Sequence, residues 1–223
     1  MKKQLTVLAV AIAAALPVAA HAAQASATAG LHVSAGAGLT FGQIDGLGLR
    51  NVGAAGVTAG LGLNASPAGI PLALTASVTR LHGAGVTEQR ADASLAYVYS
   101  PRFAPGLALM PTLAIGHDAL IGGAAASHAA AGLAASYSFG ASSPWVVSAS
   151  YLRGETIDVA QAVGGTGPYQ NGSLAVSYAH PLGLPGNASL AYQRTRWFSD
   201  ALPYGGDQYV RSDAVTLGYE QTF

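Results

Sequence analysis

Large apolar residues alternate with small or polar residues along most of the chain. In residues 88–100, one parity holds Ala91, Ala93, Leu95, Tyr97 and Tyr99, and the other holds Arg90, Asp92, Ser94 and Ala96. Because successive side chains of a strand point to opposite faces, this pattern predicts a β-strand with one apolar face. The same alternation recurs in residues 70–80, 129–139 and 144–151. No helical period of comparable length competes with it.

Ten segments of this kind can be counted. They are 29–41, 51–64, 70–81, 88–100, 106–117, 127–139, 144–155, 170–180, 187–199 and 210–223. Each has the roughly 9–11 residues, plus a short overhang, that a tilted membrane-spanning strand requires. The pattern therefore predicts an all-β chain of ten strands, with eight or twelve as alternatives. Pro111 lies inside the fifth segment and cannot donate to the ladder, so we expect a β-bulge there.

The first residues predict export from the cytoplasm. Lys2 and Lys3 precede an apolar, alanine-rich stretch, which ends in the small-x-small pattern Ala20-His21-Ala22. These are the features of a signal peptide that signal peptidase removes after Sec-type export. We expect cleavage after Ala22, with Ala23 as a near alternative. The predicted organisation is a cleaved segment, 1–22, followed by one domain, 23–223.

Composition narrows the class of protein. Hydrophobic residues make up 51% of the chain and charged residues only 9%, and there is no cysteine. After removal of 1–22, eight arginines against ten acids leave a formal charge of −2. This balance excludes a general nucleic-acid binder, which carries a clustered basic excess. The absence of cysteine excludes disulfides and thiolate chemistry.

An exported apolar chain without a helix-length apolar run indicates a transmembrane β-barrel, because only helices and closed barrels satisfy backbone groups in lipid. The alternative is a soluble periplasmic β-sandwich. Four connections are short and rich in Pro, Gly and Ser: 64–69, 100–106, 140–144 and 181–186. The other five are mostly longer and carry charge: 42–50, 82–88, 118–126, 155–170 and 200–209. Short periplasmic turns and longer extracellular loops are typical of an up-and-down barrel.

The C-terminus carries a family resemblance. The chain ends V-T-L-G-Y-E-Q-T-F, with Val215, Leu217, Tyr219 and Phe223 on one face. This ending resembles the last-strand signal of the Gram-negative outer-membrane β-barrel superfamily, and the size and tyrosine-rich hairpins are similar to small YfaZ-like and opacity-like barrels. The resemblance implies an outer-membrane location, with outer-membrane lipid and lipopolysaccharide as neighbours. It also implies that the barrel-assembly machinery reads Tyr219 and Phe223 as an assembly signal.

The inward parity consists mostly of small residues. The predicted lumen-lining set is Ser77, Ser94, Arg90, Asp92, Ala134, Ser136, Ser148 and Ser177. Ten strands enclose a wider lumen than eight, and small residues fill less of it. The pattern predicts a narrow pore or passive transporter for small solutes, with Arg90 and Asp92 as a weakly coupled pair near the extracellular mouth. A tightly coiled barrel that does not conduct, with an adhesion or envelope-integrity role, is the alternative.

Charged residues collect near the predicted extracellular end. A basic outer rim is predicted from Arg80, Arg153, Arg194, Arg196 and Arg211. Acidic residues, Glu88 and Asp118 among them, fall in the same half. Charge avoids the hydrocarbon midplane, so the prediction is a solvated rim, or one that faces lipopolysaccharide.

An outer-membrane enzyme is the third hypothesis. His117-Asp118 resembles the rim His and Asp residues of omptin-type proteases, and His32-x-Ser34 resembles the H-x-S of lipid A deacylases. No histidine pair has the spacing of a metal site on one element. The sequence therefore predicts no catalytic residue, metal or cofactor.

Overall fold

The chain forms ten antiparallel strands. The structure, a computed structural model, describes residues 31–46, 49–120, 125–140, 143–157, 167–198 and 209–223. The strands are β1 His32–Gly46, β2 Leu49–Ala65, β3 Leu72–Gly83, β4 Val86–Tyr97, β5 Leu107–Leu120, β6 Ala125–Ser138, β7 Trp145–Ile157, β8 Gly167–Ala179, β9 Asn187–Phe198 and β10 Tyr209–Thr222. Within these residues, no helix is long and apolar enough to cross a membrane. The predicted signal peptide, 1–22, lies outside the described residues.

The sheet closes on itself. Each strand pairs with the next along the chain, and β1 pairs with β10 from Ser34↔Thr222 to Gly46↔Val210. Just beyond this ladder, the backbone N–H of Phe223 donates to the carbonyl of Val33 at 2.8 Å. Closure leaves no open sheet edge, as a lipid environment requires. The prediction of a ten-stranded up-and-down barrel is confirmed, and the sandwich alternative is wrong.

The outer surface of the barrel is apolar and exposed. Leu113, Ile115, Leu174 and Leu217 each leave 59–65% of their surface uncovered. These residues share the outward parity of their strands, while the inward parity carries glycine, serine, threonine and alanine over much of the length. A soluble barrel would bury its large apolar side chains inside. Their outward position indicates that lipid covers them.

The loops of three hairpins are shorter than predicted, because their strands extend further. Strands replace most of the loops expected at 42–50, 82–88 and 118–126. In the β3–β4 hairpin only Ala84 and Gly85 remain between the strands, and both have positive φ, as a two-residue hairpin turn requires. Their strand ends carry inward side chains that are packed, and this packing favours strand over loop. The longer loops predicted at 155–170 and 200–209 lie mostly outside the described residues.

The bulge predicted at Pro111 is wrong. Pro111 pairs with Leu133 in an unshifted β5–β6 register. Towards β4, regular pairing stops at Ala96↔Thr112, and a single bridge, Tyr99↔Leu109, continues the same alignment. A missing N–H interrupts one ladder without requiring an extra residue. The register shift instead lies between Ile44 and Gly46 on the β1–β2 ladder.

Candidate functional site

The lumen has two different halves. The turn half is the end of the barrel that carries the four short turns. It is lined by small residues such as Gly36, Gly60 and Ser77. The loop half, at the opposite end, is filled by large inward side chains that are almost fully buried. These include Ile44, Leu81, Glu88, Tyr169 and Trp197. The candidate functional site is this filled loop half.

Arg90 lies at the centre of the charged part of the site. Its Nε donates to Asp118 Oδ1 and its Nη2 donates to Glu88 Oε1, each at 2.8 Å. Glu88 and Arg90 are two residues apart on β4 and so share its inward face. Asp118 is the cross-strand neighbour of Arg90 on β5. Strand parity and register together therefore place one guanidinium between two carboxylates.

Glu88 links this group to the opposite wall. Its second oxygen, Oε2, accepts a hydrogen bond of 2.8 Å from the hydroxyl of Ser212 on β10. Around the closed sheet, β1, β2 and β3 separate β10 from β4. The bond therefore crosses the lumen. Both side chains are buried, with Glu88 2% and Ser212 1% exposed.

His128 on β6 extends the group to a second carboxylate. Its Nδ1 lies 2.9 Å from Asp118 Oδ2, and its Nε2 lies 3.1 Å from Asp92 Oδ1. These are ion-pair distances, but the ring nitrogens do not form well-aligned hydrogen bonds with the carboxylates. The imidazole stacks on Tyr169, with ring centroids 3.7 Å apart and planes inclined by 8°. Stacking orients the ring between the two carboxylates.

Gly116 leaves the space that this arrangement needs. A Cβ at position 116 would lie 2.5 Å from both Asp92 Oδ1 and His128 Cε1. Such contacts are much shorter than van der Waals distances, so any larger residue would displace one partner. The glycine is therefore required by a close side-chain approach.

An apolar cluster packs beside the charged group. Its fully buried members include Ile44, Tyr169, Trp197 and Val210, and Leu152 packs against it from β7. Trp197 and Val210 are cross-strand neighbours on β9 and β10 and are 0% exposed. We define the closed layer as Ile44, Glu88, Arg90, Asp118, His128, Tyr169, Trp197, Val210 and Ser212. Each member of the closed layer is at most 4% exposed, so water reaches little of this part of the lumen.

The predicted lumen residues fall into two groups. Ser94 bonds to Thr75 in the turn half at 2.7 Å, and Ser77 lies across from Asp92. The others on this parity are Ala134, Ser136, Ser148 and Ser177, which have partial exposure. Arg90 and Asp92 belong instead to the charged group and do not pair with each other. The expectation of a weakly coupled, partly solvated pair was wrong, because β5 and β6 supply closer partners.

Two acidic residues expected on a solvated rim are buried. Glu88 is 2% exposed and Asp118 is 0% exposed. The proposed His117–Asp118 pair does not form, because adjacent residues of a strand face opposite sides. His117 is outward and its Nδ1 lies 3.2 Å from the Ser127 hydroxyl. Strand alternation continued through Asp118 would have placed it on the inward face. The strand predicted from the sequence ends at 117, however, whereas β5 extends to Leu120.

All five predicted rim arginines lie on the outward parity. Arg194 and Arg211 both pair with Asp213, at 2.6 and 2.7 Å, and the Arg196 guanidinium lies 4.0 Å from the centre of the Tyr209 ring. Arg80 and Arg153 also point outward, on β3 and β7. Among the described residues, no group of three metal-ligand side chains is close enough to hold a metal ion.

Comparison with known proteins gives structural likenesses only. No protein-family model matches the chain, and no curated protein sequence matches it. Neisserial surface protein A is 15% identical, with a TM-score of 0.40, and the match covers 87% of this chain and 97% of that one. The outer membrane protease OmpT from Escherichia coli is 10% identical, with a TM-score of 0.48 and coverage of 86% and 96%. The translocator domain of the autotransporter NalP from Neisseria meningitidis is 14% identical, with a TM-score of 0.41 and coverage of 94% and 99%.

Proposed function

We propose that the chain is a non-conducting surface barrel of the Gram-negative outer membrane with an adhesion or envelope-integrity role. The single observation that carries this proposal is the hydrogen bond between Glu88 and Ser212, which crosses the lumen at 2.8 Å. It lies in a layer of inward side chains that are each at most 4% exposed, which supports a closed lumen. The apolar outer surface supports the membrane location.

Opening the closed layer would be unfavourable. Arg90 is held by Glu88 and Asp118, and all three side chains are at most 5% exposed. Removing one partner from a buried ion pair costs about 3–5 kcal/mol, because the other charge stays buried and unpaired. A movement that separated Arg90 from its partners while they stayed buried would carry a similar penalty, so we expect the paired arrangement to be the more stable one.

A narrow pore is the second candidate. The small residues of the turn half favour it, since a cavity lined by Gly36, Gly60 and Ser77 reaches into the barrel from that end. A pore would require the closed layer to move aside. The two candidates differ in one measurable property, which is steady conductance.

Planar-bilayer recording of the refolded protein separates them. We expect no steady channels from the unchanged protein. A triple variant, Glu88→Ser, Arg90→Ser and Asp118→Ser, should conduct, because it removes three long side chains together and leaves no partner of Arg90 unpaired. Heat-modifiable migration on gels shows whether each protein has folded as a barrel.

The controls use strand parity. Adding Ser77→Trp to the triple variant should reduce its conductance, whereas adding Val78→Trp should not, since Ser77 is inward and Val78 is outward. If the unchanged protein conducts steadily and Ser77→Trp alone blocks the current, the barrel is a pore. In that case the proposal of a non-conducting barrel is wrong.

Export and assembly are part of the same proposal. Signal peptidase would remove residues 1–22, and the barrel-assembly machinery would recognise Tyr219 and Phe223. Phe223→Ala is expected to lower the outer-membrane level of the protein several-fold and leave signal cleavage intact. The Phe223 backbone N–H still closes the barrel in this variant, so only the ring is tested. Immunoblots of outer-membrane fractions measure the level.

Phe103→Ala is the matched control. Phe103 lies in the short 100–106 turn between β4 and β5 and is 86% exposed, so its ring is not part of the last strand. Its removal should leave the outer-membrane level unchanged. Equal levels of the two variants would show that the C-terminal ring is not an assembly signal.

A further inference from the structure

Three arginines and one glutamine form a row across four neighbouring strands on the outside of the barrel. Cross-strand pairing places Arg153 beside Gln170, Gln170 beside Arg196, and Arg196 beside Arg211. All four residues have the outward parity and lie at the loop half. With about 4.8 Å between neighbouring strands, the row spans roughly 14 Å.

The next outward row towards the turn half contains a gap. Tyr151, Gly172, Arg194 and Asp213 are successive cross-strand neighbours. Gly172 has no side chain, and a Cβ built there would meet nothing closer than 3.9 Å. The gap opens a groove of about 540 Å³ between the side chains of this row and its neighbours.

The third row is apolar. Leu174 lies beside Tyr192, and Tyr192 lies beside Val215. The groove thus has arginines along its edge towards the loop half, and aliphatic and aromatic side chains along its edge towards the turn half. The change from charge to apolar surface takes four residues along a strand, or about 13 Å. This is the polarity profile of the boundary between a lipid head group and its acyl chains.

Asp213 holds two of the arginines in place. Arg194 Nε lies 2.6 Å from Oδ1, Arg211 Nη2 lies 2.7 Å from Oδ2, and the Tyr192 hydroxyl donates to Oδ1 at 2.6 Å. Arg194 and Arg211 retain N–H donors that Asp213 does not use, since each guanidinium has five. The Tyr209 ring orients Arg196 through a cation–π contact, with the guanidinium carbon 4.0 Å from the centre of the ring.

The groove carries more positive than negative charge. Three arginines, Arg194, Arg196 and Arg211, line it, and Arg153 stands at the far end of the arginine row. Asp213 is the carboxylate that pairs with Arg194 and Arg211. Asp45 lies beyond Arg211, as its neighbour on β1, and Glu155 lies two residues beyond Arg153 on β7. These two acids flank the arginine row at its ends and leave the middle of the row basic.

We propose that this groove binds a phosphorylated glycolipid of the outer leaflet, with the phosphate on the arginine row and an acyl chain along the apolar row. Guanidinium groups bind phosphate through paired, charge-assisted hydrogen bonds, which a preoriented arginine forms at a lower entropic cost. A lipid, rather than a free phosphate, fits because Tyr151, Leu174 and Tyr192 continue the apolar outer surface. The inference rests on the proposed outer-membrane location and is independent of whether the lumen conducts.

Binding can be measured on the refolded full-length barrel in a neutral detergent. Lipid A with two phosphates, lipid A with its phosphates removed, and inorganic phosphate are the three probes, followed by native mass spectrometry and titration calorimetry. We expect one phosphorylated lipid per barrel. The dephosphorylated lipid and inorganic phosphate should each bind at least about tenfold more weakly, since each lacks one half of the contact.

Two variants test the residues. Arg196→Gln combined with Arg211→Gln should weaken binding of phosphorylated lipid A by at least about tenfold, because charge-assisted hydrogen bonds are lost. Gly172→Trp should do the same by filling the groove without a change of charge. Arg80→Gln, which removes an outward arginine on β3 outside the groove, is the matched control and should change binding by less than twofold.

Three results would overturn the inference. Equal weakening by Arg80→Gln would mean that any surface arginine contributes. Equal binding of the dephosphorylated lipid would mean that the groove holds acyl chains only. Equal binding of inorganic phosphate would make it a free-anion site. Outer-membrane fractionation of the same protein tests the location separately, so that failure of the location and failure of the site can be distinguished.

Discussion

Arg90→Met is expected to lower the free energy of unfolding by about 3–5 kcal/mol, because it leaves Glu88 and Asp118 buried without their counter-charge. Arg90 is 4% exposed and donates to both carboxylates at 2.8 Å. Methionine keeps part of the side-chain volume, so the loss reports charge more than packing. Urea unfolding of the barrel in lipid vesicles, followed by heat-modifiable migration, measures the difference.

Arg80→Met is the matched control for this experiment. Arg80 points outward on β3 and has an exposed side chain, so its replacement should change the free energy by less than about 1 kcal/mol. Adding Glu88→Gln and Asp118→Asn to Arg90→Met should recover part of the loss, because the uncompensated charges are then removed. An Arg90→Met barrel as stable as the Arg80→Met barrel would show that the buried ion pairs do not form.

Trp197→Ala is expected to destabilise the barrel by about 3–5 kcal/mol, because the change leaves a cavity in a packed cluster. Trp197 is 0% exposed and contributes the largest fully buried side chain among the described residues. Trp145, the other tryptophan of the chain, is 48% exposed on the outward face and stacks edge-on against Tyr178. Trp145→Ala should cost about 1 kcal/mol, the worth of one aromatic pair.

The same two variants allow a direct test of position by fluorescence. Because the chain has two tryptophans, each alanine variant retains a single tryptophan, whose emission can be excited selectively over that of the tyrosines. Brominated lipids should quench Trp145 strongly in the Trp197→Ala protein and leave Trp197 almost unquenched in the Trp145→Ala protein. Similar quenching of both would place Trp197 in contact with lipid and would contradict the closed layer.

The strand pattern was accessible from the sequence because it is local. Alternation of period two depends only on neighbouring residues, so it identified ten strands and assigned Ser77 inward and Val78 outward. The hairpin ends were harder to predict. Charged residues such as Glu88 and Asp118 resemble loop residues when read one at a time, and only packing inside the barrel favours strand at these positions.

For the five rim arginines, too, the sequence predicts some features and the strand register determines others. Their outward parity follows from the sequence, and so does their position near the loop ends of the strands. The row of Arg153, Gln170, Arg196 and Arg211 does not, since it depends on the register of three separate ladders. A shift of one residue in any ladder would turn the row's members to opposite faces.

The sequence by itself determined that this protein has ten strands, an apolar outside and a mostly small-residue inside. How the inward side chains pack against one another was decided only by the tertiary structure. Glu88 and Ser212 are 124 residues apart and meet because closure of β1 on β10 brings β10 opposite β4. Strand alternation shows which side chains point inward, but strand register and barrel closure determine which of them meet across the lumen.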